Sequence, residues 1–341
     1  MRLIKIISFL TSLAVLFPFF SNAQTSCVQN LREARNFYDA GKLNDLPNLL
    51  LKCIDNGFSK DEKVEALRLV TLSYLFDEEQ EKAESSYLRL LRIDPEYQVN
   101  LDSDPTELII LSERYDTDPK FFFGFKGGAA YNILEITHIQ AYNNAGFGSY
   151  DPPIGFSAGL FFQYPINNQF SINLETYYNF RRTVLNRQIN RSEVNSNVPQ
   201  IIGETQQWIE LPLLLNYKIP TIDKFLLEAT AGPSVHYLLT SSLSIEGVNR
   251  GINNKDMLEF RNQMNISGVL GLRGNFKIIG RNYVTVETLF QYRFIEENKN
   301  LNTDVRTELF QAGYAEGKLK GHALILRLGL RFPRFNPELI K

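Results

Sequence analysis

The chain has 341 residues, with 36 Lys and Arg against 38 Asp and Glu, 44% apolar residues, 12% aromatic residues and two Cys. A formal net charge of -2 and a pI near 6.1 give no basic field of the kind that draws nucleic acid. The 42 aromatic residues (25 Phe, 16 Tyr, 1 Trp) exceed what a disordered chain carries, and the length allows two domains.

Met1 to Ala23 starts with Arg2 and Lys5, runs through the apolar stretch Ile6 to Phe20, and ends Ser21, Asn22, Ala23. This pattern predicts a secretory signal cleaved before Gln24. Pro18 interrupts a run already short for a membrane helix. Cys27 follows Gln24, Thr25 and Ser26, not the apolar and small residues that lead into a lipoprotein cysteine. Loss of Arg2 and Lys5 leaves 34 basic against 38 acidic residues, a net charge near -4. After Ala23 no apolar run nears the roughly 18 residues of a membrane helix, so entry into a membrane would have to use strands.

Residues 24–116 form the first predicted domain. From Cys27 to Tyr115 the sequence is rich in Leu, Glu, Lys and Arg, poor in Gly, and apolar at helical spacing. Leu67, Val70 and Tyr74 make one stripe, Ala83, Tyr87 and Leu90 another, and Pro95 closes the second helix. Ala34, Phe37, Gly41, Leu46, Leu50 and Cys53 repeat the register more weakly. A last helix is predicted over Pro105 to Tyr115, with Asp104 placed to cap it. These spacings resemble the tetratricopeptide repeat, with Thr71 where that family has Gly or Ala and Leu90 where it has Ala. The resemblance implies a concave surface for other protein chains. Cys27 opens one helix and Cys53 lies near the end of its neighbour, so a disulfide there would contribute about 2 to 4 kcal/mol in an oxidising compartment. Two buried free thiols are the alternative. No metal site is expected in this segment, because His138, His236 and His322 lie outside it.

From Phe121 the apolar period changes to two. Eight strand segments can be drawn: 121–136, 153–165, 170–185, 206–220, 225–243, 263–278, 283–296 and 320–333. Short breaks at Asn167 to Gln169, Thr221 to Lys224 and Ile279 to Asn282 alternate with long polar loops over 137–152, 186–205, 244–262 and 297–319. Short turns on one side and long loops on the other are the plan of an outer-membrane barrel. Phe170, Ile172, Leu174, Thr176, Tyr178 and Phe180 share one face; Ser171, Asn173, Glu175, Tyr177, Asn179 and Arg181 share the other. In the last segment Leu324, Leu326, Leu328, Leu330 and Phe332 oppose Ala323, Ile325, Arg327, Gly329 and Arg331. On the apolar face Tyr164, Phe170, Tyr217, Phe225, Phe276 and Phe332 lie near the short turns, and Phe156, Tyr178, Phe180, Tyr237, Tyr292 and Phe294 near the long loops. At a tilt near 40°, Phe170 to Phe180 spans about 25 Å, the height of an apolar band between two aromatic girdles. Trp208 and Tyr283 fall on the opposite parity.

Residues 121–333 resemble the outer-membrane β-barrel domains of the OmpA-like and Bacteroidota porin-like superfamily. The closing strand, ending Leu330, Arg331, Phe332, looks like the terminal signal read by the barrel assembly machinery, with Asn336 to Lys341 running past it. The resemblance implies a lipid-facing outer surface and an outer-membrane location.

Inside an eight-stranded barrel there is room only for side chains. Lys126, Glu175, Glu228, Arg273, Glu287 and Arg327 share the inward parity at a similar depth and are expected to form one packed ion-pair layer; Arg181, Glu210 and Arg293 are expected to form a layer above it. Buried charges persist when paired, which favours a plug over an open route or a proton relay. No catalytic set, cofactor or metal site is expected: His236 shares its parity with Ser234 alone, and Gly127 and Gly128 lie within a strand, where they read as close-packing sites. The loops, with Asn186, Asn190, Asn195 and Asn197 typical of one, carry no ligand code.

The expectation is therefore a two-domain chain: signal 1–23, an all-α tetratricopeptide-like periplasmic domain 24–116, an eight-stranded antiparallel transmembrane β-barrel 117–335, and a periplasmic tail 336–341. Its expected role is non-catalytic, the barrel anchoring a module that binds a periplasmic or outer-membrane protein in envelope assembly, secretion or surface machinery. A narrow porin or small-solute transporter is the alternative, and a lipid-modifying enzyme a third.

Overall fold

A computed structural model describes residues 21–139, 148–151, 154–191, 196–220, 225–246, 252–299 and 317–340. Residues 1–20 of the expected signal, the turn 221–224, parts of the loops 137–152, 244–262 and 297–319, and the side chains of His138, Asn190, Asn195 and Asn197 lie outside the described residues. The chain divides into two compact units. One takes in the helices up to Pro119 and, from the other end of the chain, Phe335 onward; the other is Lys120–Arg334.

Among the described residues the first unit has five α-helices: α1 (Ser21–Asp39), α2 (Leu46–Asp55), α3 (Lys60–Phe76), α4 (Gln80–Ile93) and α5 (Thr106–Glu113). Gly41, at φ +72°, turns the chain between α1 and α2 where a side chain would be strained. Ser59 starts α3 with a capping box, its N–H donating to the Glu62 carboxylate at 2.8 Å while the Glu62 N–H donates to Ser59 Oγ. Leu67 and Val70 of α3 and Ala83, Tyr87 and Leu90 of α4 enter one core with Ala34, Leu46, Leu50 and Cys53. The helix α1 packs on α2 and α3, and α3 packs on α4 and α5. Burial raises the Tyr87 hydroxyl above its ordinary pKa, with Tyr97 and Tyr115 against its ring. Asp104 does not cap α5. The capping position falls on Pro105, and the Asp104 carboxylate instead accepts from Arg68 Nε at 3.0 Å and from the Asn100 N–H at 2.7 Å, a charged partner outcompeting a helix terminus.

Cys27 and Cys53 are joined by a disulfide, Cα to Cα 5.5 Å, across 26 residues. Changing both to Ser is expected to lower the stability of this unit by about 3 kcal/mol. Denaturant unfolding of the full chain, followed by the helical circular dichroism signal, should show an earlier helical transition and an unmoved strand transition. At the unit's far edge β1 (Tyr115–Asp116) pairs antiparallel with β12 (Glu338–Leu339), and the Ile340 N–H donates to the Arg114 carbonyl at 2.8 Å.

The second unit is a closed antiparallel ring. Its strands are β2 (Pro119–Ile139), β4 (Ile154–Pro165), β5 (Phe170–Arg191), β6 (Ser196–Ile219), β7 (Phe225–Glu246), β9 (Met264–Lys277), β10 (Tyr283–Arg293) and β11 (Gly317–Phe335), each paired with the next and β11 paired back to β2. Two short strands, β3 (Gly148–Asp151) on β5 and β8 (Ile252–Asp256) on β7, extend the wall at the long-connection end. Tight turns join strands at the opposite end. Asn167 Oδ1 accepts from the N–H groups of Gln169 and Phe170, and Gly280, at φ +58°, closes the Ile278–Asn282 turn.

Two of the expected polar loops are largely strand. Residues 186–191 continue β5 and 196–205 belong to β6, the two strands pairing from Phe170↔Tyr217 to Arg191↔Ser196. Over 244–262 the chain finishes β7, returns as β8 and makes a 3-10 turn at Leu258–Phe260. Ile202, Leu243, Ile245 and Met257 bury together there, with Leu185, Ile252 and Phe260 against them. One packed face is enough for a hairpin, so the polar residues of the other face obscured it.

Above the short-turn end the barrel is sided like a membrane protein. Along β5, Ile172, Leu174, Tyr178 and Phe180 are exposed while Ser171, Asn173, Glu175, Tyr177 and Arg181 are buried. Leu324, Leu326 and Leu328 on β11 lie outward and Arg327 and Arg331 inward. Phe170 with Tyr217, and Phe225 with Phe276, pair at the short-turn rim, and Tyr292 with Phe294 at the other. No helix among the described residues is long and apolar enough to cross a membrane.

Candidate functional site: the barrel interior and the helical groove

The inward side chains of eight strands converge on the axis, and their charges alternate in sign along a continuous path. Arg331 Nη1 lies 3.3 Å from Glu228 Oε1, and Glu228 Oε2 lies 3.5 Å from Arg273 Nη1. Arg273 donates to Glu175 Oε1 at 3.0 Å and to Glu287 Oε2 at 2.6 Å. Lys126 Nζ donates to the same two carboxylates at 2.7 Å and 2.8 Å. Arg327 Nη1 is 3.8 Å from Glu287 Oε1, and its Nη2 donates to Glu210 Oε2 at 3.2 Å. Four cations thus meet four carboxylates, a neutral set in a place where an unpaired charge would be costly.

Aromatic rings hold the cations from the sides. The Arg327 guanidinium lies 3.6 Å from the Tyr177 ring centroid, Arg331 lies 3.8 Å from that of Phe122 with Tyr283 also close, and Lys126 lies 4.7 Å from that of Phe161. Tyr177 in turn donates its hydroxyl to Glu175 at 2.7 Å.

All six residues expected in the lower layer are buried in this network. Arg331, on the right parity but outside that set, belongs to it as well. The expected upper layer is different. Arg181, Glu210 and Arg293 do not form a layer of their own: Glu210 joins the lower network through Arg327, Asn179 and Gln291, while Arg181 and Arg293 share Glu297. Two guanidiniums side by side require a carboxylate, and Glu297, just past β10, supplies it. Farther up, Glu204 accepts from Arg261 at 2.8 Å and 2.9 Å. Glu297, Glu204 and Arg261 sit in segments whose composition reads as loop. Trp208 is inside, its indole N–H on Gln206 at 3.0 Å and Arg293 over its ring, on the inward parity that β6 keeps from Ile202 to Asn216.

Between these groups the described residues leave interior cavities of about 20 Å³, one around Asn132, Trp208 and Gln291 and one around Thr183, Ile202 and Asn298. Such a volume holds about one water. His236 bonds Ser267 Oγ at 2.8 Å and is buried; His322 stacks on Tyr292 and bonds Glu135 at 3.1 Å. Among the described residues no three His, Cys, Asp or Glu side chains gather to hold a metal.

A family model described as an outer membrane protein beta-barrel domain matches residues 112–284, half of the sequence. The chain belongs to that outer-membrane barrel family. This domain family places the barrel in an outer membrane, in keeping with its apolar exterior. The chain is also similar to solved structures at low identity. Ail, the attachment invasion locus protein of Yersinia pestis, is 14% identical, covering 62% of this chain and 99% of its own at a TM-score of 0.31. OprG from Pseudomonas aeruginosa is 12% identical, covering 63% and 97% at 0.37. Neisserial surface protein A is 12% identical, covering 62% and 97% at 0.31. No curated protein matches the chain in sequence.

The helical unit carries a groove of about 690 Å³. The C-terminal ends of α1 and α3 line it with Tyr38, Leu72, Leu75 and Phe76, the start of α5 with Pro105, and the α1–α2 turn with Leu43. Its polar lining is Asp39, Glu78 and Glu107.

Proposed function

We propose that the barrel is a closed membrane anchor and that the helical unit is a periplasmic protein-binding module, tetratricopeptide-like in its paired helices, acting in envelope assembly, secretion or surface machinery. The observation that carries the anchor reading is the neutral, alternating-sign network together with two interior cavities among the described residues, around Trp208 and around Ile202, each about the size of a water. A conducting lumen needs continuous solvated space, and ion pairs at 2.6 to 3.8 Å occupy the axis instead. With an even number of strands, both ends of the barrel segment emerge on the short-turn side, which such barrels present to the periplasm.

Two measurements test this. Purified protein in planar bilayers is expected to give no steady channel steps; large, sustained conductance would reinstate the narrow porin. A photo-crosslinking residue placed in turn at Arg32, Lys52, Phe76 and Arg89 in intact cells is expected to give discrete protein adducts. If no position on the helical unit yields one, the protein-binding role is lost.

A further inference from the structure

The two units differ sharply in charge. Between Gln24 and Asp118 the sequence has 11 Lys and Arg against 20 Asp and Glu, a net of -9. From Pro119 to Lys341 it has 23 against 18, a net of +5. Three of those twenty carboxylates stand at the groove of the helical unit. The floor is apolar, with Leu43, Leu72 and Leu75, and Phe76 at the lip remains 61% exposed. Around it stand Asp39, Glu78 and Glu107, all exposed, and no Lys or Arg lines it among the described residues. Lys42 and Asp77, which flank the lining in sequence, offset each other.

Glu78 adds a second sign. Its φ is +59°, the left-handed region that glycine occupies without strain. A carboxylate is held there at a conformational cost, at the mouth of an apolar groove.

We propose that this groove docks a cationic amphipathic segment of a partner protein. Two or three large apolar side chains enter over Leu43, Leu72, Leu75 and Phe76, while flanking Lys or Arg side chains meet Asp39, Glu78 and Glu107. The assignment rests on the protein-binding reading of the helical unit and specifies the partner's chemistry. Apolar contact supplies the affinity, and the three carboxylates reject acidic segments, since like charges brought together at a dehydrating surface oppose binding. The electrostatic part should weaken as salt rises.

The test uses the full chain in nanodiscs of zwitterionic phosphatidylcholine, with empty nanodiscs as the baseline. The probes are fluorescein-labelled 14-residue peptides with Leu at helical spacing: one with Lys at the remaining positions, one with Glu there, and one of the Lys composition scrambled to break the apolar stripe. The Lys peptide is expected to bind above the empty-disc level, and the Glu and scrambled peptides at least about tenfold more weakly. Asp39→Asn, Glu78→Gly and Glu107→Gln together should weaken the Lys peptide roughly tenfold. Glu33→Gln, Glu81→Gln and Glu113→Gln, the same change in charge at exposed positions outside the groove lining, should change it less than about twofold. Glu78→Gly alone guards against misfolding: it should raise the melting temperature of the helical unit by about 2 to 4 °C while weakening the peptide. Equal loss in the two triple variants, equal binding of the Glu peptide, or no binding above empty discs would each overturn the groove assignment. None of these outcomes bears on adducts elsewhere on the helical unit, so the broader protein-binding role stands or falls separately on the crosslinking map.

Discussion

Replacing Glu287 by Ala is expected to destabilise the barrel by about 3 to 5 kcal/mol, because it leaves buried cations without their shared counter-charge. Glu287 accepts from Lys126 and Arg273 and stands opposite Arg327, and its side chain is 0% exposed. Without it, four buried cations face three carboxylates inside the ring of strands. The companion variant Glu287→Leu with Lys126→Met removes one charge of each sign and leaves three against three. Arg273 then keeps Glu175 and Glu228, and Arg327 keeps Glu210. This double variant should recover most of the loss. Trp208, the sole tryptophan, reports from inside the barrel, so urea unfolding in phospholipid vesicles followed by its fluorescence reads the effect. If the single and double variants lose the same amount, charge balance is not what stabilises the interior.

The seam between β2 and β11 should be still less tolerant. A Cβ built on Gly124 would lie 1.9 Å from the Leu330 carbonyl oxygen, one on Gly128 2.0 Å from that of Leu326, and one on Gly329 2.5 Å from that of Phe125. Three glycines thus let the first and last strands of the ring meet. Gly128→Val is expected to prevent closure outright, a loss above about 4 kcal/mol, seen as absence of the compact, fast-migrating band in unheated gels. Its neighbour Gly127 meets nothing nearer than the Ser157 carbonyl oxygen at 3.5 Å, so Gly127→Ala should leave that band in place. Identical behaviour of the two variants would mean that close backbone approach is not what the seam requires.

These two cases also show what a sequence can and cannot disclose. Alternation with period two located all eight strands and separated the lipid face from the interior, because in a strand the side-chain direction is set by the backbone alone. Parity identified Lys126, Glu175, Glu228, Arg273, Glu287 and Arg327 as interior residues for the same reason. Depth was less legible. Counting from strand ends ignores the stagger between tilted neighbours, so Arg327 and Glu210, counted to different levels, meet at 3.2 Å. The irregularity opposite Gln207/Trp208 inserts Leu239 into β7 and shifts the inward parity there from even residues, through Leu238, to odd ones from Ser241, and it leaves no local mark in the sequence. Gly127 and Gly128 look alike as a pair, yet a Cβ would clash with a neighbouring backbone only at the second, since alternate residues face opposite sides.

The pairing of β1 with β12 sets an order of events. Tyr115 and Leu339 are separated by more than two hundred residues, and holding the ends of so long a flexible segment together costs about 5 kcal/mol of chain entropy at room temperature. Two residue pairs cannot supply that by themselves. Once β11 has paired with β2, the two ends are already neighbours and the clasp forms at little further cost. The helical unit therefore receives its last strand only after the ring has shut, and a polypeptide halted before β11 would leave Tyr115 and Asp116 with their pairing edge bare. That edge is a feature by which an unfinished molecule could be told from a finished one.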